Sequence, residues 1–160
     1  MDPTVDLPLY FAYGSNLDPR QMELRCPGHR VLCRAMLHDH ELAFHGESRV
    51  WGGAVAAVDP RAGAVVHGVV YEIRPEHFAA LDRAEGYVGP GHPGNAYERV
   101  QLPVELENHE MLEVFTYILS GPSAPGIPSR SYRWTIVSGM RHHGLPPEAI
   151  ASVESMPVRD

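Results

Sequence analysis

The chain has 160 residues, 44% hydrophobic and 21% charged, with 20 acidic against 13 basic side chains and a formal net charge of -7. That size suits one domain with one core, of ordinary globular composition. The acidic balance offers no general attraction to nucleic acid or to an anionic lipid surface.

No window reaches the roughly 18 apolar residues a bilayer span requires, and the opening MDPTVDLPLYF lacks the basic and apolar regions of an export signal. Cys26 and Cys33, the two cysteines, form neither a disulfide framework nor a zinc spacing. The expectation is a cytoplasmic protein with reduced thiols.

In chain order, residues 7–13 form an apolar, aromatic run that reads as a buried strand ending in the turn Gly14-Ser15-Asn16. Asp18 followed by Pro19 reads as an N-cap and first helical position, opening a helix through Arg25 that Cys26-Pro27-Gly28 stops. Strands are expected over residues 31–37, 41–44, 53–58, 65–73, 97–104 and 111–119, separated by Gly, Pro, Asp and Asn turns. Six or seven strands imply an α+β fold built on a rolled, mixed, barrel-like sheet with flanking helices. Residues 74–85 carry Pro75 near the start and Gly86 past the end, a punctuated helix ending at Glu85. Residues 89–95 and 121–129 read as flexible loops. Residues 131–143 are expected to be helical, with a second short helix opened by Pro146-Pro147. One domain over 1–160, its core about 7–150, is the expectation.

Ten histidines invite a metal reading, but HExxH is absent and His38 with His40 has no evident third ligand. The pair His142-His143 reads as helix-end residues that complement the helix dipole. Ser15 lies at a strand-to-helix turn without the Gly-x-Ser-x-Gly elbow of a serine nucleophile. The same turn offers backbone N–H groups that can hold a carboxylate or oxyanion. Glu85 would feel the negative end of its helix dipole, which raises a carboxyl pKa toward that of a useful base; a solvated helix-end charge is the plainer reading, and holds for Asp82 as well.

Tyr10-Phe11-Ala12-Tyr13-Gly14-Ser15-Asn16-Leu17 resembles the N-terminal signature of the γ-glutamylcyclotransferases. The resemblance continues through Trp51-Gly52-Gly53-Ala54, His67-Gly68-Val69-Val70-Tyr71 and Leu81-Asp82-Arg83-Ala84-Glu85-Gly86, then Tyr97, Tyr117, Tyr132 and Gly144-Leu145-Pro146, spanning about residues 9–150. It implies an enzyme that releases 5-oxoproline and a free amine from γ-glutamyl amides, with Glu85 as acid/base and no metal or cofactor. It also implies substrate contacts from Tyr10, Phe11, Ala12, Tyr13, Gly14, Ser15 and Asn16, largely through backbone, and from Tyr97, Tyr117 and Tyr132. The implied partner is a small γ-glutamyl substrate, with no nucleic acid or membrane; a homodimer is left open. The segment between Glu85 and Tyr97 is longer than expected from the animal enzymes, and the leaving amine is open among an amino acid, a modified lysine and a larger metabolite. A non-catalytic binding module and a γ-glutamyl amide hydrolase are the alternatives.

Overall fold

In the computed structural model, which describes residues 6–160, five strands close into a barrel and four helices flank it. The first five residues, on which the reading of the N-terminus partly rests, lie outside the described residues. In order these elements are β1 (Leu9–Ala12), α1 (Pro19–Arg25), β2 (Arg30–Ser48), β3 (Gly53–Glu72), α2 (Phe78–Glu85), β4 (Tyr97–Leu106), β5 (Met111–Leu119), α3 (Arg130–His142) and α4 (Pro147–Glu154). Around the barrel the strands run β1, β3, β2, β4, β5. Every pairing is antiparallel except β1 with β5, whose parallel bridge at Tyr10 and Phe115 completes the circle.

The expected count of six or seven strands is corrected to five, because two pairs of expected strands are continuous. Residues 31–37 and 41–44 join as β2, and 53–58 and 65–73 join as β3. The residues between them read as turns, yet the chain absorbs them as register shifts between His38 and His40 and elsewhere along the ladder. Asp39 takes a positive φ of 61° there, and its side chain accepts a hydrogen bond from the Gly63 N–H at 3.0 Å across the pair. A bulge of this kind bends a strand and increases its twist without ending it, which is what closing a small barrel requires.

Helix boundaries follow the capping chemistry. The Asp18 side chain accepts from the Arg20 N–H, with Pro19 in the first turn of α1. Ser129 caps α3 by accepting from the Tyr132 N–H, and Gly86 ends α2 at φ 65°, in the left-handed region that glycine favours. The expected helix over 74–85 divides into a 3-10 turn at Pro75–His77 and α2 proper. The core holds Phe11, Val69, Val70, Tyr71, Val104, Val114 and Thr116, with Leu17, Met22 and Ile136 packed where α1 and α3 meet the barrel.

The two glycine- and proline-rich segments are bonded into the fold. Residues 121–129 lie along the end of the β2–β3 hairpin: Gly46 N–H donates to Ala124, Gly126 N–H to Phe44 and Ala54 N–H to Ile127, each at 3.0 Å. Residues 89–95 wrap Asn95, whose amide oxygen accepts from Val88 N–H at 2.6 Å and whose amide nitrogen donates to Gly89 O at 2.7 Å. Among the described residues, no helix is long and apolar enough to cross a membrane.

Candidate active site

One end of the barrel opens into a cavity of about 480 Å³, a size that suits a small-molecule ligand. Its wall is assembled from the turn after β1, the end of α1, the β2–β3 hairpin, the end of α2 and the starts of β4 and α3.

Residues 14–17 leave β1 in a 3-10 turn, with Leu17 N–H donating to Gly14 O at 3.0 Å. A Cβ at Gly14 would sit 3.3 Å from the Ala56 Cβ, so glycine lets the turn press against β3. Asn16 is tied down on every side. Its Oδ1 accepts from Gln21 Nε2 at 2.9 Å and Arg25 Nη1 at 2.7 Å, its Nδ2 donates to the Tyr10 hydroxyl at 2.9 Å, and its carbonyl accepts the Tyr71 hydroxyl at 2.8 Å. Gln21 also donates to Ser15 Oγ at 2.7 Å, so the Ser15 hydroxyl belongs to this network. Among the described residues no histidine hydrogen-bonds it.

His143 completes the support. Its Nε2 lies 3.0 Å from Leu17 O and 3.2 Å from the Tyr71 hydroxyl, which already donates to Asn16; the ring therefore carries its proton on Nε2 and donates. Burial, helped by neighbouring His142, lowers the His143 pKa and keeps the ring neutral. This corrects the dipole reading of that residue, since a neutral ring has no charge to offer a helix end.

Glu85, the last residue of α2, lines the cavity with Arg25, Tyr10, Tyr13, Tyr97, Tyr117 and Tyr132. It is half-buried by area but enclosed by protein on most sides. Burial raises its pKa from 4.5 to about 7, and the Arg25 charge opposes the rise only in part. A carboxyl on the cavity wall whose charged form burial disfavours does not match a solvated helix-end charge. Ala96, whose N–H donates to Gly86 O at 2.9 Å, packs against the helix end and helps to enclose it. The Glu85 charge in turn adds to the burial that raises the pKa values of Tyr10, Tyr13, Tyr97 and Tyr132, all four of which line the same cavity.

These phenols divide by bonding. Tyr13 donates to Tyr117 O and Tyr97 to Ala56 O, both at 2.6 Å, leaving their oxygens as acceptors. Tyr132 accepts from the Ala56 N–H at 2.9 Å and Tyr10 accepts from Asn16, leaving each a proton to donate. Tyr117 donates to Asp82 Oδ1 at 2.6 Å, and Asp82 holds Arg99 through both carboxylate oxygens at 3.0 and 2.7 Å. The Arg99 guanidinium lies over the Phe78 ring at 4.4 Å. Asp82 is thus not a solvated helix-end charge, as the sequence suggested; it anchors α2 to β4 and β5 one turn before Glu85.

Of the residues expected to bind substrate, Tyr10, Tyr13, Gly14, Ser15, Asn16, Tyr97, Tyr117 and Tyr132 are on the wall. Phe11 and Ala12 are not. Both are fully buried strand residues paired to β3, and Phe11 O accepts the Thr116 hydroxyl at 2.8 Å, so their backbone is committed to the barrel. Arg25, His45, Trp51 and Asn95 also line the wall although the sequence does not mark them as site residues, and His45 Nε2 lies 2.8 Å from Asp59 Oδ2. Arg25 carried no signal because a basic residue in the last turn of a helix is expected for its dipole alone. His38 and His40 are otherwise occupied: His38 pairs with Glu105 at 2.6 Å and His40 bonds the His38 carbonyl. Among the described residues no three His, Cys, Asp or Glu side chains gather as a metal site.

Because the folded protein keeps the Glu85 proton up to about pH 7 while an unfolded chain releases it near 4.5, the stability contributed by the protonated carboxyl is fully present below about pH 4.5 and lost as pH rises through about 7. Glu85→Gln, which mimics the protonated form, is expected to be more stable than the wild type above about pH 8 by at most about 3 kcal/mol. That gap should close in acid. Denaturant titrations of the two proteins across this range provide the check, and a gap independent of pH would count against a buried, shifted carboxyl.

A family model described as Gamma-glutamyl cyclotransferase, AIG2-like, matches residues 10–135. The Homo sapiens protein named Gamma-glutamylcyclotransferase is 32% identical over 145 residues, covering 88% of this chain and 73% of that protein. The Bos taurus protein of the same name is 29% identical over 157 residues, covering 95% and 80%. A solved structure named Gamma-glutamyl cyclotransferase superposes with a TM-score of 0.87 at 28% identity, covering 97% of this chain and 90% of its own.

Proposed function

The chain belongs to the γ-glutamyl cyclotransferase, AIG2-like family, and from that premise we propose that it converts γ-glutamyl amides to 5-oxoproline and a free amine, with Glu85 as the acid/base. The observation that carries the reading is a carboxyl at the cavity wall, in a cavity that phenols also line, with its pKa raised to about 7. Such a group takes and returns a proton near neutrality with little driving force lost in either direction.

The reaction forms a bond between the glutamyl α-nitrogen and its own γ-carbonyl carbon, and breaks the amide bond from that carbon to the leaving nitrogen. Two protons leave the α-ammonium and two arrive at the departing amine; Glu85 is the group that carries them. Ring closure is intramolecular, and holding its two ends in line is worth roughly 7 to 11 kcal/mol in favourable cases. The rigid turn at Gly14, Ser15 and Asn16 suits that task. Tyr13 and Tyr97, as acceptors, are matched to the ammonium, while Tyr10 and Tyr132 have protons for the oxyanion of the tetrahedral adduct. All four pKa values are raised by burial, so the phenols stay protonated through the cycle.

Hydrolysis takes an oxygen atom from water and cyclisation takes none, which separates the two. With γ-glutamyl-alanine in ¹⁸O-labelled water, cyclisation is expected to yield 5-oxoproline carrying no label. Labelled glutamate as the primary product would establish a hydrolase in its place.

A further inference from the structure

An α-amino acid carries its ammonium and carboxylate on one carbon, so a cavity reads both well when it offers an anion and a cation on the same wall that are not already paired. Glu85 supplies the anion. Arg25, the last residue of α1, is on the same wall. Among the described residues it forms no salt bridge, and its one hydrogen bond goes from Nη1 to the Asn16 amide oxygen. That oxygen already accepts from Gln21, so it has a partner without Arg25. A guanidinium has five N–H donors in a planar fork, and one bond to Asn16 leaves the others available. Asn16 is fixed by Gln21, Tyr10 and Tyr71, and therefore holds the guanidinium at a set place. The Arg25 charge also reaches the interior of the site, where it favours ionisation of Glu85, Tyr10 and Tyr132 against their burial. Arg83, the other arginine on the wall, is exposed.

We propose that Arg25 is the carboxylate-binding residue of this cavity, its guanidinium taking the α-carboxylate of the glutamyl group while Glu85 meets the α-ammonium. The inference rests on the γ-glutamyl reading of the site and adds a determinant of specificity to it. Arg25 selects glutamyl amides over the otherwise identical 4-aminobutanoyl amides, which cyclise by the same bonds but carry no α-carboxylate. It also offsets the repulsion that a second carboxylate would suffer beside Glu85.

The test uses ligands that need no turnover. L-5-Oxoproline and 2-pyrrolidinone differ only in the carboxylate, and each is titrated into the wild type, Arg25→Gln and Arg25→Lys, with thermal melts to confirm folding. The wild type is expected to prefer 5-oxoproline by about 10- to 150-fold, as for a hydrogen bond to a charged group. Arg25→Gln should bring that preference close to unity, and Arg25→Lys should keep part of it, since a point charge replaces the fork. A structural role alone would weaken both ligands together and leave their ratio as in the wild type, which overturns the proposal, as would a wild type that does not discriminate. If Arg25→Gln fails to fold, the ratio in Arg25→Lys decides: a reduced preference supports the assignment and an unreduced one removes it. A wild type that discriminates through Arg25 but releases no 5-oxoproline from γ-glutamyl amides keeps the carboxylate site and loses the cyclisation.

Discussion

Glu85→Gln is expected to lower turnover of γ-glutamyl amides by about 10²- to 10⁴-fold while leaving binding of 5-oxoproline, which has no ammonium, nearly intact. The amide has the size of the carboxyl and mimics its protonated form, so neither the cavity nor the surrounding phenols need to move. It cannot accept a proton, and the α-ammonium then has no base against it. Because Glu85 titrates at about 7, wild-type kcat/KM should rise with pH through that region as the carboxylate form accumulates. The variant should lack this limb. A loss seen only in KM would assign Glu85 to binding, and a near-wild-type rate would take it out of the mechanism altogether.

The second large effect is expected at a position that touches neither substrate nor Glu85. Gly139 lies in the interior of α3, where a glycine-to-alanine change ordinarily stabilises a helix by about 0.5 to 1 kcal/mol. Here the sign reverses. A Cβ at Gly139 would meet the Leu17 backbone, with the Leu17 Cβ and O each at 2.6 Å, and backbone cannot swing aside as a side-chain end can. Leu17 closes the turn that carries Ser15 and Asn16. Gly139→Ala should therefore cost about 1 to 3 kcal/mol of stability, in the range of overpacked cores, and displace the turn enough to reduce activity in the fraction that still folds. Denaturant unfolding paired with a rate measurement checks both halves. A variant more stable than the wild type would mean that α3 stands farther from the turn than this structure has it.

Much of the fold was legible from local chemistry, and the limits are instructive. Asp18-Pro19, Gly86 and Pro146-Pro147 act through backbone groups within a few residues, so the ends they set could be read directly. The breaks expected near residues 38–40 and 59–64 could not, because whether Asp39 turns the chain or bulges a strand depends on the partner strand, which contributes Gly63 from 24 positions away. The same separation of scales governs the site. The wall residues of the 14–16 turn announced themselves by composition, whereas Glu85 is an ordinary helix-end carboxyl until the start of β4 and the cavity enclose it. Resemblance to a family, not periodicity, singled it out. Asp82 and His143 read as solvated or dipole-complementing residues, and Arg25 gives no sign of a role, for one reason: each is a charged or titratable residue near a helix end, where solvent exposure is the usual state. Their roles come from Arg99 and Tyr117, from Leu17 and Tyr71, and from Asn16, partners 9 to 126 positions away in sequence. Phe11 and Ala12 show the converse error, since membership in a signature string does not put every residue on the cavity wall.

The proposed reaction closes a γ-glutamyl group on itself in this cavity, with Glu85 as the base. It is tested most directly by incubating purified wild type and Glu85→Gln with a panel of γ-glutamyl amines and measuring 5-oxoproline by mass spectrometry. 5-Oxoproline is expected from the wild type at a rate at least about 10²-fold above that of the variant, with the panel ranking the leaving amines. Equal rates from the two proteins, or glutamate with no 5-oxoproline, would contradict it.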